Sequence, residues 1–173
     1  MSGALDWILS AYREYPELRL DLLGHLLLAS LIGGAIGWER EHAHKPAGLR
    51  TNILICVGAA LLTDLSVRVA AQATGSADPA RIAAQIVTGV GFLGAGTIMQ
   101  ARGSVMGLTT AATMWVVAAL GMAVGFGAII EAVGTTLLVL VALIPLRTLE
   151  EKAKARRERN GIQVTAVGED LDS

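Results

Sequence analysis

Long apolar runs alternate with short polar segments between residues 20 and 146. The hydrocarbon core of a bilayer is about 30 Å thick, and a helix needs about 20 residues to cross it. Several runs reach that length, so the pattern predicts an all-α integral membrane protein, a bundle of about five transmembrane helices. The predicted helices cover roughly residues 20–39, 50–72, 81–101, 107–126 and 128–147.

Two features of this helix pattern are less regular. The second helix reaches spanning length only if it includes Asp64, with Arg68 as a possible extension. The fourth and fifth are separated by very few residues. Gly125 and Gly127 permit a tight reversal there, and a continuous kinked helix is the alternative.

Basic residues predict the orientation of the bundle. If the N-terminus lies outside, most Lys and Arg residues fall in cytoplasmic segments, above all in the tail. Positive charge is enriched on the cytoplasmic side of membrane proteins, so we expect the N-terminus outside and the C-terminus in the cytoplasm. Three parts result: an interfacial segment 1–19, a transmembrane domain 20–147 and a charged cytoplasmic tail 148–173.

Composition narrows the function classes. Hydrophobic residues form 53% of the chain and charged residues 17%, as in membrane proteins rather than soluble domains. The net charge of −1 gives no basic field for nucleic acid, so no nucleic-acid partner is expected. The single Cys56 excludes an internal disulfide.

Glycines recur at spacings typical of closely packed membrane helices. Gly89, Gly91 and Gly94 also match a dinucleotide-binding fingerprint, but that motif needs a preceding strand and lies in a βαβ unit. Here they lie inside an apolar segment of helical length, so we interpret them as a smooth face for another backbone. A permissive backbone beside a substrate path is the alternative. The predicted helix-packing glycines are Gly33, Gly37, Gly89, Gly91, Gly94, Gly96, Gly121 and Gly125.

Asp64 follows an apolar run within the second predicted helix. A carboxylate near the centre of such a helix costs roughly 2.5–3.5 kcal/mol on insertion scales. Arg68 is one turn further on and is placed to pair with it, while Arg81 and Gln85 stand at the same outer end of the third helix. We therefore predict a functional polar cluster of Asp64, Arg68, Arg81 and Gln85. The alternative is that Asp64 and Arg68 lie in water at the interface.

Glu39, Arg40 and Arg50 form a second predicted cluster, on the cytoplasmic side. Pro46 and Gly48 punctuate the short loop, so the first two helices should be adjacent and antiparallel. One interpretation is flanking charge with a weak rim salt bridge. The other is an ordered pair of Glu39 with Arg40 or Arg50 that closes the inner mouth of the bundle.

Metal and catalytic chemistry have little support in the sequence. Asp64 and Asp21 together could offer oxygens to a hard cation such as Mg²⁺, but His25 has no second His at ligand spacing, so no zinc site is predicted. No catalytic residues stand out. We expect neither enzymatic activity nor a cofactor.

Four segments occur together, in order, over roughly residues 20–130. They are Gly33–Glu41, Lys45–Thr51, Arg81–Gly96 and Gly107–Trp115. By these segments the chain resembles the MgtC/SapB (MgtC/YhiD) family of bacterial inner-membrane proteins, in the short YhiD-like form without a C-terminal cytoplasmic ACT-like domain. The resemblance implies a multi-pass protein of the inner membrane that acts in magnesium homeostasis and acid stress rather than in enzymatic turnover.

Two functional hypotheses follow. In the first, the protein modulates magnesium or proton homeostasis by binding another membrane complex. The resemblance implies an ATP synthase or a P-type pump as the kind of partner, besides the lipid bilayer, and a homo-oligomer is expected. The second hypothesis is a cation or small-solute transporter or channel, suggested by Asp64, Arg81 and Gln85. No inverted repeat is visible in the sequence, which disfavours a transporter.

Overall fold

The computed structural model describes residues 19–72, 78, 80–101 and 104–145. Within these ranges it has five α-helices and one short hairpin, so the predicted all-α membrane fold is confirmed. The orientation remains a prediction, and residues 1–18 and 146–173 lie outside the described part. The elements are α1 (Leu20–His42), α2 (Leu49–Gln72), α3 (Ala80–Ala95), β1 (Met99–Ala101), β2 (Ser104–Met106), α4 (Leu108–Gly125) and α5 (Ile129–Pro145).

Three of the helices, α1, α2 and α4, are long and apolar enough to cross a membrane. The other two, α3 and α5, are shorter apolar helices. The chain divides into two compact units, one ending at Thr136 and one beginning at Leu137. All of the features discussed below belong to the first unit.

The centre of the first unit is α2, since α1, α3 and α4 all pack against it. A core of buried side chains forms where α2, α3 and α4 meet. It consists of Ala59, Ile86, Val90, Met114 and Ala118.

Glycines bring two helices into backbone contact with α2. A Cβ added at Gly33 would lie 2.6 Å from the Asn52 carbonyl oxygen, and one at Gly37 would lie 2.8 Å from Leu49 Cα. Further along the same face of α2, a Cβ at Gly121 would lie 2.3 Å from the Cys56 carbonyl oxygen. These contacts also show that α1 and α2 are antiparallel, as the short loop between them predicts.

Of the remaining predicted packing glycines, two contact a neighbouring helix and three do not. A Cβ at Gly125 would again clash, at 2.5 Å from the Ala60 carbonyl oxygen, and one at Gly94 would sit 3.4 Å from Ala111 Cβ. Gly89 and Gly91 have no described atom within 4 Å of an added Cβ, and Gly96 meets only carbonyls of its own helix. Helix packing within this chain therefore does not account for these three glycines.

The predicted third helix, 81–101, ends six residues early. At Ala95 the chain turns, and Thr97 donates from its amide and its hydroxyl to the Gly94 carbonyl at 3.0 and 2.7 Å. The next residues form β1, which pairs antiparallel with β2. Gly107, directly after β2, has φ of 90°, and an added Cβ there would lie 2.0 Å from the Thr97 carbonyl oxygen. Because Ile98 and Met99 are apolar, the hydrophobic pattern gave no sign of this turn.

A helix break separates α4 from α5, which decides against a continuous kinked helix. Gly127 has φ of 80° and donates its amide to the Val124 carbonyl at 2.9 Å. The Ala128 amide donates to Ala123 at 2.9 Å. This pair of bonds is the Schellman arrangement, in which a left-handed glycine ends a helix.

We expect opposite effects from one substitution at two glycines. Gly121→Ala should destabilise the bundle by about 1–3 kcal/mol, because the added methyl overlaps the α2 backbone. Gly91→Ala should leave stability unchanged or raise it, since alanine is the better helix former and the space is open. Unfolding by SDS in detergent micelles, followed by circular dichroism, measures both. Equal effects at the two sites would contradict this packing.

Candidate functional site

A part-buried ion pair, whose arginine side chain is 25% exposed, joins the start of α1 to the far half of α2. Arg19, the residue before α1, donates from Nη1 and Nη2 to the two carboxylate oxygens of Asp64 at 2.5 and 2.8 Å. Nη2 also donates to Asp21 at 3.0 Å. The Asp64 side chain is only 8% exposed and that of Asp21 is 61% exposed. Two-pronged arginine–carboxylate bonds are among the stronger polar interactions in proteins.

Arg19 therefore occupies the place that the sequence suggested for a metal ion or for Arg68. The two carboxylates do converge, as the magnesium hypothesis requires, but a guanidinium lies between them. The hydrogen bonds that Arg19 donates to Asp64, and then to Asp21, raise the pKa of Arg19, so it stays charged. Among the described residues no group of three or more metal-ligating side chains exists.

Arg68 does not join Asp64 in the structure. Asp64 is buried together with Thr63 and Ser66, whereas Arg68, one turn further along α2, is exposed. No described carboxylate forms an ion pair with Arg68. The expected pairing one turn apart along α2 is thus replaced by pairing between helices.

Arg81 and Gln85 lie apart from this ion pair, at the start of α3. They line a groove of about 420 Å³ whose other wall includes Ser66 and Val69 of α2. Asp78 also lines it, and its Oδ1 accepts a hydrogen bond from the Ala80 amide at 2.8 Å. The predicted four-residue cluster therefore splits into a part-buried ion pair and a separate polar groove.

Three polar atoms in α1 and α2 are buried without hydrogen-bond partners in the described part of the chain. They are Nδ1 of His25, one turn after Asp21, Oγ1 of Thr63, next to Asp64, and Oδ1 of Asn52 near the opposite end of the helix pair. Buried polar groups normally have partners. Two of the three therefore lie in the half of the α1–α2 pair that holds Asp21 and Asp64.

At the other end of α1, Glu39 pairs with Arg40. Nε and Nη2 of Arg40 both contact Glu39 Oε2, and Arg40 is only 3% exposed. Arg50 is exposed and forms no ion pair with a described residue. Of the two partners considered for Glu39, Arg40 is the one observed. The first turn of α2 presents Leu49 and Asn52 to Gly37 and leaves Arg50 outside.

Sequence reasoning missed the residues that hold the loop between α1 and α2. Asn52 is fully buried, and its Nδ2 donates to the carbonyls of Ala47 and Gly48 at 2.6 and 2.9 Å. Glu41 Oε2 accepts from the Leu49 amide at 2.9 Å and so caps α2. An amide side chain within an apolar run, four residues after Gly48, was the available signal.

Comparison with known protein families identifies the family of this chain. The model of the MgtC family matches residues 26–152. The chain belongs to the MgtC family. This confirms the resemblance that the four sequence segments suggested.

Curated relatives give the same family. Protein MgtC of Salmonella choleraesuis (strain SC-B67) is 43% identical over 156 residues, which cover 90% of this chain and 63% of that protein. Protein MgtC of Brucella abortus (strain 2308) is 44% identical over 133 residues, 77% of this chain and 54% of that protein. The MgtC-family chain thus spans less than two thirds of the length of these relatives. No solved structure matches it significantly.

For this MgtC-family protein we expect the Arg19–Asp64 pair to be strongly coupled. Arg19→Gln leaves a buried carboxylate unpaired, and breaking a buried pair typically costs about 3–5 kcal/mol. The double variant Arg19→Gln with Asp64→Asn should lose less than Arg19→Gln alone. Melting in detergent checks this, with Asp21→Asn as the exposed control, expected to cost under about 1 kcal/mol. Additive losses would show that the residues act independently.

Arg40 and Arg50 should differ in the same assay. Arg40→Gln removes the buried partner of Glu39 and should lower the melting temperature clearly. Arg50→Gln changes an exposed side chain, and such substitutions usually stay within about 0.5 kcal/mol. A larger loss for Arg50→Gln than for Arg40→Gln would contradict the observed pairing.

Proposed function

We propose that this protein is a multi-pass protein of the bacterial inner membrane that modulates magnesium or proton homeostasis by binding another membrane complex. The observation that carries the proposal is that its buried charged side chains, Asp64 and Arg40, have partners within the chain. Asp64 is held by Arg19, and Arg40 is held by Glu39. The Arg19–Asp64 pair links the start of α1 to α2, and the Glu39–Arg40 pair lies within α1. With these charges engaged inside the chain, the outer helix faces are left for contacts with neighbours.

The exposed faces are suited to neighbours in a membrane. Large apolar side chains project outward from α1, α2 and α3, among them Leu31, Leu54 and Phe92, which are 70%, 71% and 81% exposed. In a bilayer such faces meet lipid or other helices, and helices associate there through close packing and interhelical hydrogen bonds. A larger complex such as an ATP synthase or a P-type pump, or further copies of this chain, is the proposed kind of neighbour.

Photo-crosslinking in native membranes tests this proposal. A photoreactive amino acid at Leu31, Leu54 or Phe92 should trap a protein partner in a face-dependent manner. The matched control is Ile36, which is fully buried in the chain and should give crosslinks only within it. Trapping of lipid alone at every exposed position would count against a partner-binding role.

A transporter remains the second candidate because of one observation. The buried, unpartnered atoms His25 Nδ1 and Thr63 Oγ1 lie within the bundle, and a translocated cation or its water could engage the oxygen. Purified protein in liposomes should then move Mg²⁺ or protons faster than empty liposomes, and Thr63→Val should slow that flux. Flux no greater than in empty liposomes would exclude transport under these conditions.

A further inference from the structure

An apolar groove runs between α2 and α3. Its volume is about 480 Å³, and its floor consists of the buried residues Ala59, Ile86 and Val90. Leu62 and Leu93 stand along its edges and are 46% and 48% exposed. The groove is thus an open, apolar channel on the surface of the bundle.

This groove adjoins the polar groove at the start of α3. Ile82 and Gln85 line both. Beyond them the polar part reaches Arg81, which is exposed and has no described carboxylate within ion-pair distance. Asp78, the carboxylate among the described lining residues, has Oδ1 engaged by the Ala80 amide. The two grooves together therefore form a cleft with an apolar part and a polar end. At the polar end, no described carboxylate pairs with the Arg81 guanidinium.

Two glycines make the apolar part wide. Gly58 of α2 and Gly89 of α3 both line it, and neither has a described atom within 4 Å of an added Cβ. The glycines that pack α1 and α4 onto α2 have such atoms within 3 Å. Gly58 and Gly89 thus leave space that no described part of this chain fills.

Along α3, the lining of the cleft extends over about the depth of one lipid leaflet. From Arg81 to Leu93 are twelve helical steps, or about 18 Å at 1.5 Å per residue. Half of the hydrocarbon core is about 15 Å. A transmembrane helix of a partner would need a face that crosses the whole core, whereas a lipid needs an apolar path through one leaflet and a polar end.

We propose that the cleft between α2 and α3 binds one membrane phospholipid. Its phosphodiester lies at Arg81 and Gln85, and one acyl chain follows the groove past Gly58 and Gly89. Guanidinium groups bind phosphate through charge-assisted hydrogen bonds, and the Gln85 amide can donate a further one. This site is independent of the partner-binding role proposed above, because it needs only lipid.

Native mass spectrometry of the purified full chain in detergent tests the site. The probes are phosphatidylglycerol and a diacylglycerol with the same acyl chains. We expect one retained phosphatidylglycerol per chain and about fivefold weaker retention of the diacylglycerol, from a charge contribution of about 1 kcal/mol per basic residue. Arg81→Gln should abolish that difference. Arg68→Gln, a change at an exposed arginine outside the cleft, should preserve it.

The apolar part is tested by a matched glycine pair. Gly89→Leu should block the acyl path and abolish retention of phosphatidylglycerol. Gly91→Leu, two residues on, also enters open space but does not line the cleft, and it should retain the lipid. Circular dichroism verifies folding of each variant, and Arg81→Gln carries the test if Gly89→Leu fails to fold.

Several results would overturn the proposal. Equal retention by the two leucine variants would do so, as would equal lipid preference in Arg81→Gln and Arg68→Gln or no retained lipid in the wild type. A changed oligomer mass in Gly89→Leu with unchanged lipid retention would show that a helix of another copy occupies the groove.

Discussion

The close approach of α1 and α4 to α2 determines where the other groups of this bundle lie. Lipid tails are as apolar as leucine, so membrane helices gain little from burying apolar surface and rely on close packing. Gly33 and Gly37 toward the start of α2, and Gly121 and Gly125 further along the same face, let side-chain-free surfaces meet the α2 backbone. A larger residue at any of these positions would separate the helices and weaken contacts along their length.

The buried charges depend on this packing. With Gly37 beside Leu49 and Gly33 beside Asn52 and Cys56, the antiparallel pair continues until Arg19 stands near Asp64. Buried ion pairs seldom add much stability over apolar residues, but a broken one is costly. The Arg19–Asp64 pair therefore penalises a slipped register of α1 on α2 more than it strengthens the correct one. The pair thus makes one register of α1 on α2 specific, which accords with a structural role for Asp64.

The apolar pattern was sufficient to predict the helices, but not which charges would meet. Runs near spanning length located α1, α2 and α4 closely, because few alternatives to a helix exist for such segments in lipid. The end of α3 was wrong because Thr97 stops the helix by hydrogen bonds to Gly94, which apolar periodicity does not register. Arg19 was missed because partners were sought one turn along α2, whereas its carboxylate lies 45 residues away. Extending the antiparallel register of α1 and α2 from the glycine contacts would have placed Arg19 near Asp64.

Glycine itself illustrates the remaining limit. Gly33 and Gly89 both stand in apolar helices at small-residue spacings, yet the first touches a neighbouring backbone and the second faces open space. Sequence cannot separate these roles, since both require only the absence of a side chain. What differs is the neighbouring surface, and for α3 that surface is incomplete. Its 16 residues span about 24 Å, less than the bilayer core of about 30 Å. The exposed apolar residues Met99 and Met106 of the hairpin continue its apolar surface. A short helix beside an open groove thus leaves the surrounding lipid to complete the packing of α3.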